Sequence, residues 1–307
     1  MIPYGRQHIS KEDADAVKEV LNSDFLTQGP KVPEFEEEVA RYCGTNFAVA
    51  VNSATSALHI ACLALGISKG DIVWTAANTF VASSNCALYC GASVDFIDID
   101  LDTFNISLVD LEKRLVKAKK ENKLPKLLIP VHMCGQSCDM DKIKKLADIY
   151  KFKIIEDASH AIGGSYLDSK VGSCQYSDIT VFSFHPVKII TSGEGGMALT
   201  NDSDLVQKME LYRSHGITRN NEVMQNDSHG PWYYEQLVLG FNYRITDIHA
   251  ALGLSQLKRI DSFIEARNNI AKEYNIMLSE QPLKLPFISP GVLSSFHLYI
   301  ICLENKN

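Results

Sequence analysis

Three short stretches of this 307-residue chain carry side chains that could share one reaction. In "VFSFHPVKIITSGEGG", residues 181–196, a single lysine, Lys188, stands in an apolar run, with Ser183 and His185 before it and a glycine-rich turn after it. "KIIEDASH" ends an apolar run in Asp157, with His160 three positions on. "NSAT" follows "NFAVAV" and sets Ser53, Ala54 and Thr55 where a strand gives way to a helix. A buried amine is pushed toward its neutral form and becomes nucleophilic, the usual origin of lysines that condense with carbonyl groups. A carboxylate at the mouth of an apolar strand is costly unless something pairs with it. The first turn of a helix leaves N–H groups free for an anion.

Taken singly, each residue has a plainer reading. Lys188 could snorkel at the surface, Asp157, Ser53 and Thr55 could be helix caps, and His160 and His185 could be packed, hydrogen-bonded imidazoles. Together they form an amine, a carboxylate and a phosphate cradle. That is the set required by pyridoxal 5′-phosphate (PLP), which needs a lysine on its aldehyde and a carboxylate facing its pyridine nitrogen.

The elements that must position these residues follow from local pattern. Ser10 opens a helix in "SKED", a capping-box form with Asp13 three residues later. A second helix starts after Pro30 and ends at Gly44. From there "NFAVAV", "DIVWTA", "SVDFIDID", "KLLIPVHM", "KIIED", "DITVFSF" and "GMALTN" read as strands. Helical stretches separate most of them, closed by Gly66 and Gly91 in two cases. Strands this apolar imply a sheet buried on both faces, whose ligands sit at the strands' carboxyl ends. A long helical region is predicted from about Thr246 to Leu278, with a kink. "QPLKLPFISPGVLSS" reads as a linker, and "FHLYIICLENKN" as one strand without a partner, so the chain is expected to stop inside a second, smaller domain.

Composition bounds the function. Apolar residues make up 46% and charged residues 22%, as in soluble globular proteins. No apolar run has the length of a membrane span, and "MIPYGRQHIS" lacks an apolar signal core, so a cytoplasmic protein is expected. With a net charge of −7 and no basic stripe carrying aromatics, no nucleic-acid partner is expected. Among the eight cysteines, Cys86/Cys90 and Cys134/Cys138 are each four apart, but neither pair has the further ligands zinc needs, so no metal is expected. Reduced thiols are the expectation.

The motifs as a set resemble the DegT/DnrJ/EryC1/StrS family of PLP-dependent sugar aminotransferases, from Tyr4 to the last predicted strand. The resemblance is carried by "LTQGPKVPEFEEEVA", "AVNSATSALHIA", "TFVASSNCALYCGASVDFIDID", "IIEDASHAIGG", "FSFHPVKIITSGEGG" and "LGFNYRITDIHAALGLSQLKRID". It implies an α/β protein of the fold type I PLP-dependent class. Residues 1–245 would be a three-layer α/β/α large domain with an N-terminal substrate segment. Residues 246–307 would be a linking helix and the start of a small α/β domain, since family members usually continue further.

The resemblance also implies roles. Lys188 would bond the cofactor and shuttle protons. Asp157 would keep the pyridine nitrogen protonated, His160 would lie near the phenolic oxygen, and Phe80 would lie against the ring. Ala54, Thr55 and Ser183, with Ser53 beside them, would hold the phosphate. Asn242 would reach it from a partner subunit, which implies a homodimer with shared sites. Tyr4, Asp24, Phe25, Leu26 and Thr27 match the sugar-nucleotide segment. Relatives that act as 3-dehydratases carry histidine where Lys188 stands, so transamination is implied.

Within the family, "FHPVKIITSGEGG", "RSHGITR" and "GPWYYEQLVLGFNYR" are similar to members serving pseudaminic acid synthesis. The implied substrates are L-glutamate and a UDP-linked 4-keto-6-deoxy-N-acetylhexosamine. Another nucleotide-linked keto sugar, such as a dTDP- or GDP-sugar, and an inactive or regulatory homologue are the alternatives.

Overall fold

The alternation of apolar runs with amphipathic stretches is realised as a seven-stranded sheet. The structure is a computed structural model and describes residues 5–303. The strands are β1 (Phe47–Val51), β2 (Ile72–Ala76), β3 (Ser93–Ile97), β4 (Leu127–Ile129), β5 (Lys153–Asp157), β6 (Ile179–Ser183) and β7 (Gly196–Thr200). Their spatial order is β1-β7-β6-β5-β4-β2-β3. β7 is antiparallel to both its neighbours, and the remaining pairs are parallel. Register places Val51 opposite Gly196 and Asp157 opposite Val181. The carboxyl ends of β1, β5 and β6 therefore point the same way.

The helices are α1 (Lys11–Leu21), α2 (Lys31–Cys43), α3 (Ala54–Ala64), α4 (Ala82–Tyr89), α5 (Leu108–Lys120), α6 (Met140–Tyr150), α7 (Ser203–Arg213), α8 (Asp247–Leu257) and α9 (Ile260–Met277). Side chains alternate across the sheet, as strand geometry requires. Val49, Ile155, Val181 and Ala198 pack against α3, α4 and α7. Phe182, Met197 and Leu199 face the other way, among residues of α2 and α8, and Trp74, Leu128 and Ile154 do so among residues of α5 and α6. This is the three-layer α/β/α arrangement, and both faces of the sheet are covered except at the edge strand β3, where Asp95 and Phe96 are exposed.

Local signals behave as their chemistry dictates. Ser10 and Asp13 form the reciprocal capping box, and Gly44 closes α2 with φ 74°. No helix among the described residues is long and apolar enough to cross a membrane, and among them no cluster of three or more His, Cys, Asp or Glu could hold a metal.

Two expectations are corrected. The region from Thr246 to Leu278 is two helices rather than one kinked rod. Arg259, at φ −110° and ψ 5°, ends the run, and its guanidinium pairs with buried Asp13 at 2.5 Å, tying the break to α1. "FHLYIICL" is not one strand and does not lack a partner. Phe296 adopts φ 43°, which an extended strand cannot contain. Only Cys302–Leu303 is extended, and it pairs antiparallel with Leu283–Lys284. Upstream, Val292–Leu293 adds to the hairpin strand Ser165–Tyr166 that follows β5. The segment after α9 is thus tied to the sheet body at the loop that carries His160.

Candidate active site

The carboxyl ends of β1, β5 and β6 surround a cavity of about 340 Å³. Its wall includes Ser53, Ala54, Thr55, Phe80, Asp157, His160, Ser183 and Lys188, the residues singled out for cofactor binding except Asn242.

Asp157 ends β5 and is 4% exposed. Its Oδ2 accepts a hydrogen bond from Ser83 Oγ at 2.5 Å and its Oδ1 one from the Ser159 N–H at 3.1 Å. Ser83 is itself fully buried on α4 and accepts from Thr79 Oγ1 at 2.8 Å. Thr79, Ser83 and Asp157 thus form a relay that holds the carboxylate in one orientation while leaving lone pairs for a ligand.

Lys188 lies beyond β6, where its N–H bonds to the His185 carbonyl at 2.9 Å in a turn. The side chain is half-buried, and no carboxylate pairs with it among the described residues. Burial lowers its pKa below the usual lysine range, and the charge of Asp157 offsets this only in part. An amine held this way is more readily deprotonated and nucleophilic.

At the third strand end, Ser53 caps α3, its Oγ accepting from the Ser56 N–H at 3.2 Å. The Ala54 and Thr55 N–H groups have no partner among the described residues. Gly196 explains part of the glycine-rich motif. A Cβ there would lie 2.4 Å from the Ala54 nitrogen and the Ser53 carbonyl carbon, so only glycine lets β7 pass this helix start. The Ser53 hydroxyl is committed to the cap and to Ser56, which leaves the backbone N–H groups and the Thr55 and Ser183 hydroxyls as the free donors.

His160 closes the opposite wall. Its Nδ1 is buried and has no hydrogen-bond partner, and its ring stacks on that of His297 with centroids 4.3 Å apart. Burial, and then the nearby Lys188 charge, push its pKa down to about 4 against the pull of Asp157. The Phe80 ring is 72% exposed at the cavity, an aromatic face with nothing on it.

The donor set fits PLP. Free helix N–H groups can take its phosphate, the fixed Asp157 carboxylate its ring N–H, the unpaired lysine its aldehyde, the open phenylalanine face its ring, and the orphaned imidazole nitrogen its remaining polar edge.

Other expected residues lie elsewhere in the chain. Asn242 is exposed, is bridged to Ser214, and is not in the cavity wall. Asp24, Phe25, Leu26 and Thr27 are exposed too, yet they are tied to the same neighbourhood. Thr27 bridges Thr246, and the Asp247 N–H bonds the Leu26 carbonyl at 3.1 Å. Tyr4 lies outside the described residues. Sequence reasoning missed Ser83 and His297. Ser83 sits 74 residues from Asp157 in the chain and carries no motif of its own. His297 is separated from His160 by the whole of α7 to α9.

Comparison with known proteins agrees with this geometry. The DegT/DnrJ/EryC1/StrS aminotransferase family matches residues 7–307. The UDP-4-amino-4,6-dideoxy-N-acetyl-beta-L-altrosamine transaminase of Campylobacter jejuni is 44% identical over 275 residues, covering 90% of this chain and 69% of that protein. The GDP-perosamine synthase of Caulobacter vibrioides is 40% identical over 279 residues, covering 91% of this chain and 70% of that protein. Among solved structures, an aminotransferase of Helicobacter pylori involved in the biosynthesis of pseudoaminic acid superposes with a TM-score of 0.89 at 34% identity, covering 98% of this chain and 77% of that one. A putative sugar aminotransferase of Streptococcus pneumoniae, solved in a PLP form, superposes with a TM-score of 0.85 at 29% identity, covering 99% of this chain and 78% of that one. With an unpaired lysine, a fixed carboxylate and an open helix start around one cavity, and a family match along nearly its whole length, the chain belongs to the DegT/DnrJ/EryC1/StrS aminotransferase family.

Proposed function

We propose that this protein binds PLP through Lys188 and moves the amino group of L-glutamate to C4 of a UDP-linked 4-keto-6-deoxy-N-acetylhexosamine. One observation carries the proposal: Lys188, Asp157 and the start of α3 converge on a single cavity, with the lysine unpaired and its basicity lowered. PLP, when bound, supplies an electron sink for the carbon that loses its proton. The residues of the chain do the rest. Lys188 Nζ, its basicity lowered by burial, takes the proton from the donor's α-carbon and returns it on the sugar side. Asp157 stays oriented by Ser83 and Ser159 to accept the ring N–H. The Ala54 and Thr55 N–H groups and Ser183 hold the phosphate at the positive end of α3. His160 stays neutral and can hydrogen-bond through Nδ1 without adding charge. Phe80 covers one ring face and keeps water off it.

The substrate assignment is supported by the relative named for a UDP-linked amino sugar. The relative named for a GDP-linked product stands close behind it, which makes the GDP sugar the second reading. Asn242 would serve the site of a partner subunit, so the active species would be a homodimer, and Tyr4 and Asp24–Thr27 would meet the sugar nucleotide. The test offers UDP-, dTDP- and GDP-linked 4-keto sugars separately with L-glutamate and follows release of 2-oxoglutarate. Fastest turnover with the UDP sugar is expected. Faster turnover with a GDP or dTDP sugar would overturn the nucleotide assignment, and no turnover with any of them would overturn transamination itself.

A further inference from the structure

Lys188 is shared by two cavities. The second, of about 520 Å³, lies between the N-terminal segment, α9 and the stretch around His297. Its wall holds three cations, Arg6, Lys188 and Arg267, and no aspartate or glutamate among the described residues. Arg267 reaches it from α9. One guanidinium nitrogen, Nη1, is fixed by the carbonyls of Phe296 at 2.9 Å and His297 at 3.4 Å. Burial alone lowers its pKa, and no carboxylate among the described residues compensates. A partly buried guanidinium without an acid is costly, and an anionic ligand would repay it. His297, between the two cavities, has its Nδ1 buried and unpartnered. It lies near enough to both Lys188 and Arg267 that both charges add to burial in lowering its pKa, to about 2.

The anion's class follows from where the cations stand. The carbon that exchanges its amine must come to Lys188. In an amino acid that carbon bears a carboxylate directly, so a guanidinium in the same cavity wall as the amine suits it. The diphosphate of a sugar nucleotide is set off from the ketone carbon by the sugar ring and would be badly placed for Arg267. Arg6, exposed at the rim, can meet a second carboxylate.

We infer that this second cavity is the binding site of the amino donor's carboxylates, a dicarboxylic amino acid, with Arg267 and Arg6 as its anion partners and His297 as a hydrogen-bond partner. The inference rests on the transaminase reading above, and its test is separable from it. The probe is glutarate, the same dicarboxylate skeleton without the amine, titrated calorimetrically into the purified holoenzyme, with UDP as the control ligand. Arg267→Gln is expected to weaken glutarate roughly 10- to 100-fold, the worth of a charge-assisted hydrogen bond. Arg6→Gln, on an exposed segment where folding is not at stake, is expected to weaken it roughly fivefold, as suits a rim charge. UDP affinity should be unchanged in both, and the KM for L-glutamate should rise in parallel. Unchanged glutarate affinity in both Arg6→Gln and Arg267→Gln, or in Arg6→Gln alone if Arg267→Gln does not fold, would overturn the assignment. So would a loss of UDP affinity in place of glutarate affinity. If no keto sugar is aminated yet glutarate binding depends on the arginines, the donor site stands and the substrate reading falls. If sugars are aminated and glutarate ignores both arginines, the donor site falls alone.

Discussion

The two walls that face Lys188 are made of different material. On the sheet side, Asp157 and Ser183 are strand ends, 4% and 7% exposed, and the carboxylate is gripped by Ser83 and the Ser159 N–H. On the other side, His297 belongs to a stretch with hardly any regular structure, held to Arg267 of α9 through the Phe296 and His297 carbonyls and to His160 by a stacked imidazole. A group buried at a strand end can move only if the sheet moves, and such rigidity is what oriented chemistry requires. A wall made of an irregular segment can change its residues without disturbing the core, and this suits the recognition of different ligands beside one amine.

If the sheet wall carries the chemistry, damage there should cost turnover. Lys188→Ala should show the largest effect, a loss of turnover by more than roughly 10³-fold together with the pH-dependent visible absorbance of the purified protein. Activity within tenfold of the parent would remove the amine from the chemistry. Asp157→Ala comes next and should retain cofactor but slow turnover roughly 10²-fold, because the ring nitrogen loses its charged partner. Near-normal rates would separate Asp157 from catalysis. Ser83→Ala should lower kcat by roughly tenfold with the KM for either substrate little changed, since one charge-assisted hydrogen bond to the carboxylate is lost. A KM effect alone would place Ser83 outside the sheet-wall relay.

If the irregular wall carries recognition, His297→Gln should do the reverse and raise the KM for L-glutamate roughly fivefold at nearly constant kcat. A pure kcat effect would erase the distinction between the walls. The smallest effect concerns pH. Burial keeps both imidazoles neutral in the folded protein, His160 down to about 4 and His297 to about 2, whereas an unfolded-chain histidine titrates near 6.5. Below about pH 6.5 the unfolded chain takes up protons that the fold refuses. The stability this pair contributes is therefore complete above that pH and is lost as pH falls toward about 4 for His160 and about 2 for His297. Melting temperatures between pH 7 and pH 4.5 should fall less steeply for His160→Gln and His297→Gln than for the parent. Parallel slopes would show that the pair is not held neutral by the fold.

Much of the candidate catalytic wall is legible in the sequence. Apolar runs separated by amphipathic ones announced the buried sheet, and Asp157 and Lys188 stood out because a charge in an apolar run calls for an explanation. "NSAT" marked a helix start by capping chemistry that spans only a few residues. The break at Lys258 and Arg259 was visible only as a kink, because the pairing of Arg259 with Asp13 that ties it down crosses nearly the length of the chain.

What the sequence determined by itself is what short-range sterics and hydrophobic periodicity control: the strands, most helices, the caps, and the odd residues at strand ends. What only the tertiary structure decided are the contacts between distant segments. The reversal of β7 follows from pairing on both its edges, and the burial of Ser83 against Asp157 joins α4 to β5. The left-handed turn at Phe296 breaks an otherwise strand-like run, and with the Arg267 hydrogen bonds it turns "FHLYIICL" into the second wall of the site. Local preference is summed over a few neighbours and can be read in order along the chain. These features depend on which surfaces meet once the whole core has closed, and no window of sequence contains both partners.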